Sequence, residues 1–194
     1  LHDQTRRQRQ MCIRDSYDVA GPVGGCRTAS GGASIDEKTN ELIYVSYYAE
    51  KPVRLFFDDE VQQTNDMLEA AFPGEIVRPV TWSKDRNKVV LSVSSSSNPG
   101  DFYYFDKENM ILTFLWDSSP WIDRAQLAKK TPIKYTARDG LVIHGYLTIP
   151  LGTSGKNLPM VVHPHGGPNV RDTIGYDTYV QFLASRGYAV FQPN

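Results

Sequence analysis

Residues 158–194 constrain the fold more tightly than any other part of the chain. They begin with a short apolar run at 159–162, which predicts a buried strand covered on both faces. The motif HGGP follows at 165–168, and its glycine pair permits backbone angles that a side chain forbids. With a further apolar run at 188–191, the pattern predicts a strand, a turn, a helix and a strand. The helix is indicated by apolar residues spaced along one face, namely Tyr176, Tyr179, Val180, Leu183 and Ala184.

This order of elements, with HGG in the loop after the first strand, is typical of an α/β-hydrolase. In that fold the loop supplies one backbone N–H of the oxyanion hole, which stabilises the negative charge that acyl transfer places on the carbonyl oxygen. His165, Gly166 and Gly167 are therefore the predicted oxyanion-hole region. A plain glycine turn between a strand and a helix is the alternative interpretation.

The residues HPHGGP at 163–168, followed by FLASRGYAVFQPN at 182–194, resemble the prolyl oligopeptidase family of serine peptidases. The acylaminoacyl-peptidase and dipeptidyl-peptidase branches are the most similar, and the resemblance is strongest after Tyr135. It implies a β-propeller followed by an α/β-hydrolase domain with a Ser-Asp-His triad. It also implies a nucleophile beyond residue 194, so that none of the triad is present and the fragment alone is expected to be inactive.

Residues 17–118 are predicted to be the C-terminal portion of a β-propeller, comprising its last one to two blades. Runs of β-branched and aromatic residues predict strands at 41–48, 52–57, 76–82, 88–95, 101–106 and 111–116. The last four are typical of one propeller blade, being short and separated by turns. Ser34 and Ser83 each open a similar stretch at a separation of 49 positions. That separation suits a propeller repeat, and two unrelated hairpins are the alternative.

Residues 119–131 are predicted to form a linker helix, and 132–194 the start of an α/β-hydrolase domain, truncated before the nucleophile. A second helix is predicted at 60–72, capped by Asp58 and Asp59. Residues 133–137 and 141–149 predict a hairpin, because Asp-Gly between two β-runs favours a tight turn. This hairpin is expected at the edge of the hydrolase sheet.

Residues 1–16 are expected to be a sequencing-adapter artefact that stands outside the fold. Codons that translate as QMCIRD, followed by the start of a serine codon, match the end of a library adapter. The segment also lacks the apolar core of a secretory signal. A basic arm for nucleic acid is the alternative, since four arginines lie in it. The two cysteines, Cys12 and Cys26, cannot form a disulfide framework, so they leave the redox compartment open.

The charge and hydropathy of the chain exclude two classes of partner. A net charge of −1 argues against a general nucleic-acid or membrane-surface binder, and no apolar run has the length of a membrane span. The predicted partner is a peptide substrate. Assembly into homo-oligomers stays open, as does the choice between a cytoplasmic and a periplasmic location for a protein expected to be soluble.

Other sites fail on their spacing. No G-x-S-x-G motif is present; GTSGK at 152–156 has lysine in the last glycine position and also lacks the pattern of a phosphate loop. His144, His163 and His165 offer three imidazoles, but no carboxylate or cysteine at ligand spacing supports a metal. The sequence therefore predicts neither a metal nor a cofactor.

Three charged residues near the motif complete the candidates. Arg171 is a candidate to bind a substrate carboxylate or carbonyl, with a solvent-facing arginine as the alternative. Asp172 is predicted to be a cap or turn residue before the helix, where an anion meets the positive end of the helix. Asp177 is predicted to be a solvated residue of the first helical turn.

The predicted function of the intact protein is hydrolysis of peptide or acyl-aminoacyl bonds through an acyl-enzyme. One alternative is a carboxylesterase or lipase of the same fold, since HGG serves ester hydrolysis equally well. The other is a non-catalytic propeller that binds a partner and carries a degenerate hydrolase domain.

Overall fold

The computed structural model describes residues 31–36, 39–167 and 170–194. The predicted adapter segment, both cysteines and Pro168 lie outside these ranges. The described part of the chain contains eleven strands in three sheets and two α-helices. The strands are β1 Gly32–Ile35, β2 Leu42–Tyr48, β3 Pro52–Phe56, β4 Ile76–Trp82, β5 Lys88–Ser95, β6 Asn98–Asp106, β7 Ile111–Asp117, β8 Lys130–Thr136, β9 Val142–Thr148, β10 Met160–Val162 and β11 Ala189–Pro193. The helices are α1 Asp59–Ala71 and α2 Thr178–Ser185.

The first sheet is an antiparallel meander of β1, β2 and β3, and α1 follows it directly. Asp58 caps that helix as predicted: its Oδ1 accepts hydrogen bonds from the backbone N–H groups of Glu60 and Val61 at 3.0 and 3.1 Å. Such a cap satisfies donors that the first helical turn leaves unpaired. The helix ends before Gly74, whose φ of 83° suits a glycine turn.

The second sheet is a four-stranded antiparallel meander in the order β4-β5-β6-β7. Its bounds confirm the predicted strands at 76–82 and 88–95. Side chains of β5 alternate between buried and more exposed positions, as one strand with one buried face must do. The apolar core between this sheet and α1 consists of Leu68, Val77, Val89, Leu91, Val93 and Phe105.

The third sheet has the order β10-β11-β9-β8, in which β10 and β11 run parallel and the other pairs antiparallel. The hairpin of β8 and β9 turns at Gly140, with a φ of 83°, and β8 lies at the edge as predicted. The prediction that the strand at 159–162 is covered on both faces is wrong for the described residues. Met160 is 55% exposed and Val162 54% exposed, because no described residue covers the sheet face that these two side chains share.

The predicted linker helix at 119–131 is wrong: only Arg124–Gln126 form a single 3-10 turn, and β8 already begins at Lys130. The backbone groups that a helix would pair internally are bonded elsewhere. Ala128 donates its N–H to Gln181 Oε1 at 2.9 Å, and Lys130 donates its N–H to Ser96 Oγ at 3.1 Å. The segment is therefore held by contacts across the second and third sheets rather than by its own helical bonds.

Charged groups fix the same segment to the second sheet. Arg124 donates to both carboxylate oxygens of Asp101 at 2.6 Å and lies 2.7 Å from Asp117 Oδ2. This bidentate geometry holds the pKa of Asp101 below its usual range.

Neither described helix has the length and apolar character needed to cross a membrane.

Candidate functional site

The HGG motif lies in a loop between β10 and α2, beside the end of β11. His163 extends the pairing of the strands, donating its backbone N–H to the carbonyl of Phe191 at 2.8 Å. The ring Nδ1 of His165 lies 2.8 Å from the carbonyl of Gly166, which places the N–H on Nδ1. Gly167 has a φ of 123°, a conformation that other residues rarely adopt.

The backbone of this loop is open to solvent at the glycine pair. Gly166 and Gly167 are exposed, and no atom lies within 4 Å of the position that a Cβ would take on Gly166. Within the described residues, no acceptor takes up the N–H groups of His165, Gly166 or Gly167. The loop thus presents free donors, as an oxyanion hole requires, although the role of these three residues stays a prediction.

The structure corrects the roles predicted for both aspartates: Asp177 is not a solvated first-turn residue, and Asp172 does not cap the helix. Asp177 is the N-cap of α2, because its Oδ1 accepts from the N–H groups of Tyr179 and Val180 at 2.9 and 3.0 Å. Asp172, predicted to cap the helix, instead contacts the end of β11. Its Oδ1 accepts from Gln192 Nε2 at 2.8 Å, and its own N–H donates to Asn194 Oδ1 at 2.7 Å.

The carboxyl of Asp172 lies in a polar region below the loop. Burial raises its pKa, while the nearby side chains of His165 and Lys130 act in the opposite direction. Its Oδ2 is buried and has no hydrogen-bond partner within the described residues. The same holds for Gln192 Oε1 and Thr148 Oγ1. Buried polar atoms without a partner are uncommon and destabilise the folded state, so this region lowers the stability of the fold.

Lys130 forms the floor of the same region. It is buried, and its Nζ donates to the carbonyl of Thr173 at 3.0 Å. Burial lowers the pKa of this amine, and the carboxylates of Asp177 and Asp172 oppose that shift. The ammonium group therefore links the start of the third sheet to the loop that follows HGG.

Arg171 is not solvent-facing, so that alternative is wrong. Its Nη1 donates to the carbonyl of Tyr48 and its Nη2 to the carbonyl of Ala49, both at 2.9 Å. The guanidinium also lies over the Tyr48 ring, 5.2 Å from its centroid. The substrate-binding role of Arg171 stays a prediction, made for a group whose terminal nitrogens are already engaged.

The turn between β2 and β3 makes further contacts with the third sheet. The Tyr48 hydroxyl accepts from the N–H of Ile174 at 3.0 Å, and the Tyr146 hydroxyl donates to the carbonyl of Glu50 at 2.8 Å. Burial raises the pKa of Tyr146 to about 12. Residues 48–50, hereafter the docking turn, are thus bonded both to the loop and to β9.

The three histidines considered as metal ligands do not form a cluster. His163 packs against the ring of Tyr179, with 5.0 Å between the ring centroids, and His144 lies on β9 opposite Lys134. Among the described residues no group of three His, Cys, Asp or Glu side chains is placed to hold a metal ion.

Sequence reasoning missed Gln181, Gln192 and Asn194 as contributors to the site. For Gln192 a signal was present, because it lies on the same face of β11 as the buried Val190, and Asn194 continues this alternation just beyond the strand.

Comparison with known proteins places this geometry in a wider context. No protein-family model matches the chain. Dipeptidyl aminopeptidase BIII of Pseudoxanthomonas mexicana is 30% identical to it over 175 residues, which are 87% of this chain and 25% of that protein. The chain spans about a quarter of the length of the curated relatives it matches.

Solved structures share the fold. A prolyl endopeptidase matches 89% of this chain and 25% of its own, with a TM-score of 0.58 at 15% identity. The acylaminoacyl peptidase of Pyrococcus horikoshii matches 84% of this chain and 24% of its own, with a TM-score of 0.53 at 19% identity. The chain therefore shares the fold of a part of these larger proteins.

Proposed function

The chain belongs to the prolyl oligopeptidase family, and from that membership we propose that the intact protein is a serine peptidase. It hydrolyses peptide or acyl-aminoacyl bonds, and its substrate is a peptide. The observation that carries the proposal is the exposed HGG loop between a parallel strand and a helix, whose N–H groups at 165–167 meet no acceptor within the described residues.

The architecture proposed for the family applies to the two larger sheets. The β4–β7 meander, within 17–118, forms a blade of a β-propeller, and residues 132–194 begin an α/β-hydrolase domain. Two observations support this division: the second sheet is a four-stranded antiparallel meander, and the third contains a parallel β10–α2–β11 unit.

The chemistry assigned to this chain is stabilisation of charge. A serine supplied from beyond residue 194 attacks the substrate carbonyl carbon, and its proton passes to a histidine base. The carbonyl oxygen becomes negatively charged and accepts from N–H groups of residues 165–167. Loss of one such donor costs a factor of about 10²–10³ in kcat. The amine then leaves with the proton, and water hydrolyses the acyl-enzyme.

The test uses the full-length gene product. We expect it to release nitroaniline from peptidyl and N-acyl-aminoacyl nitroanilides, and to be inactivated stoichiometrically by a fluorophosphonate that labels one serine. Hydrolysis of nitrophenyl esters without amide cleavage would assign the protein to the esterases. Absence of both hydrolysis and labelling would leave the non-catalytic propeller as the function.

A further inference from the structure

The loop that carries the glycine pair runs from the end of β10 to the start of α2. Its described residues, 163–167 and 170–177, form neither helix nor strand. Its upstream end is held by the bond between His163 and Phe191. The glycine pair is exposed, so the position of its N–H groups depends on how both ends of the loop are anchored.

The downstream end is anchored on two different sheets. On the third sheet, Asp172 bonds to Gln192 and Asn194, and Lys130 bonds to the carbonyl of Thr173. On the first sheet, Arg171 grips the docking turn through two carbonyls, and Ile174 donates to the Tyr48 hydroxyl. The second anchor is contributed by a part of the chain more than 120 positions earlier.

The residue type suits a clamp between two pieces of backbone. A guanidinium is planar and presents donors in a fixed fork, which matches two successive carbonyl oxygens. The Tyr48 ring is buried at 7% exposure and covers the guanidinium, so the pair is shielded on one side from water. A lysine ammonium could reach one carbonyl as a point charge but cannot reproduce the fork.

We propose that Arg171 is a positioning residue: by clamping the loop to the docking turn, it holds the N–H groups of residues 165–167 where the oxyanion forms. The inference rests on the proposed peptidase function. Oxyanion donors act only when they lie about 2.7–3.1 Å from the developing charge, and a misplacement of about 1 Å can cost 10²-fold in rate. The clamp also makes the position of the N–H donors depend on the first sheet, although none of these donors belongs to that sheet.

The kinetic test separates positioning from substrate binding in the full-length protein. Arg171→Ala is expected to lower kcat and kcat/KM together, by about 10- to 100-fold, with KM unchanged, because the loss falls on the transition state. Arg171→Lys is expected to restore part of kcat. A rise in KM at constant kcat would overturn the proposal, since it would make Arg171 a contact of the bound substrate.

Two further variants keep the test decisive if Arg171→Ala folds poorly. Tyr48→Phe retains the ring and the carbonyl but removes the acceptor for Ile174, so a smaller fall in kcat at constant KM is expected. Arg186→Ala is the matched control, since that exposed arginine also lies over an aromatic ring, 4.9 Å from the Phe182 centroid. It is expected to leave both parameters unchanged. Unchanged kcat in both Arg171→Ala and Tyr48→Phe would overturn the proposal.

A second readout does not depend on catalysis. Hydrogen exchange followed by mass spectrometry is expected to show faster exchange in peptides spanning 163–176 in Arg171→Ala, with β4–β7 unchanged. Equal acceleration throughout, or none, would overturn the positioning role. If the wild-type protein proves to have no peptidase activity, the proposed function fails, and the exchange data alone still decide whether Arg171 orders the loop.

Discussion

The second and third sheets differ in what holds them together. The second sheet packs against α1 through aliphatic and aromatic side chains, and Leu91 at its centre is completely buried. Both sheets also bury polar side chains, namely Asn98, Asp101 and Asp106 in the second and Lys130, Thr148 and Gln192 in the third. An apolar core tolerates changes that conserve volume, whereas a buried polar group needs a particular partner in a particular place.

The two sheets differ in how completely their buried polar groups are hydrogen-bonded. In the second sheet Asp101 accepts from Arg124 and Asn98, and Asp106 accepts from the N–H of Asn109. The third sheet and the loop that follows β10 instead leave Asp172 Oδ2, Gln192 Oε1 and Thr148 Oγ1 without partners within the described residues. Locally unfavourable features, such as these unpaired polar atoms, are found most often at functional sites, where the surrounding structure is stable enough to tolerate them.

The largest effect is expected in the apolar core. Leu91→Ala should lower the free energy of unfolding by about 2–5 kcal/mol, because it removes a fully buried side chain and leaves a cavity. Urea unfolding of the 194-residue chain measures it. Leu55→Ala is the control, since Leu55 is 49% exposed, and its effect should be far smaller. Similar losses in both variants would contradict the assignment of the core.

A somewhat smaller effect is expected where the two sheets meet. Gln181 accepts from the N–H of Ala128, and its Nε2 donates to the carbonyls of Ser96 and Ala128 at 2.8 and 2.7 Å. Gln181→Ala strands these buried groups and should cost about 2–3 kcal/mol. When the unfolding of each sheet is followed by its own probe, the two transitions should no longer coincide. Gln126→Ala, at an exposed glutamine, is the control. An equal loss in the free energy of unfolding there would contradict the role assigned to Gln181 between the two sheets.

The glycine pair offers a matched comparison within the site. Gly167→Ala forces a side chain into a φ of 123° and should lower kcat of the full-length protein by about 10- to 100-fold. Gly166→Ala should have a milder effect, because open space surrounds its Cβ position. Steady-state kinetics on a peptidyl nitroanilide measure both. Equal losses would show that the backbone conformation of Gly167 does not set the donor geometry.

The smallest effect concerns pH. Burial raises the pKa of Asp172 in the folded state. At pH values between the ordinary aspartate pKa and this raised pKa, the folded state therefore binds more protons than the unfolded state. The free energy of unfolding therefore falls as pH rises from about 4 through the folded pKa. Asp172→Asn should weaken that fall. Urea unfolding across this range measures it, with Asp66→Asn on the exposed side of α1 as the surface control. An unchanged slope would contradict the raised pKa.

Local signals in the sequence predicted much of the fold. Alternating β-branched runs gave the strands of the second sheet, Asp58 marked the start of α1, and Asp-Gly marked the hairpin of β8 and β9. These features are set by residues within a few positions of one another. The family resemblance was confirmed by the relatives, and it came from the HGG loop and from residues 182–194.

The parts that could not be predicted depend on distant partners. Asp172 and Asp177 are both acidic residues ahead of a helix, and only the position of β11 decides which of them caps it. The linker lost its helix because Ala128 and Lys130 bond to Gln181 and Ser96. No local pattern reports that Arg171 meets the docking turn, since the two are paired only after the sheets have come together.

The clamp between Arg171 and Tyr48 has a consequence for the order of folding. The residues are 123 positions apart, whereas the strands of the second sheet pair with their immediate neighbours. Closing so long a loop costs entropy that local hairpins do not face, so the docking turn meets Arg171 after the hairpins have formed. Contacts that form late act mainly on the rate of unfolding. The loop is therefore expected to acquire its final shape last, and to lose it first when the protein begins to open.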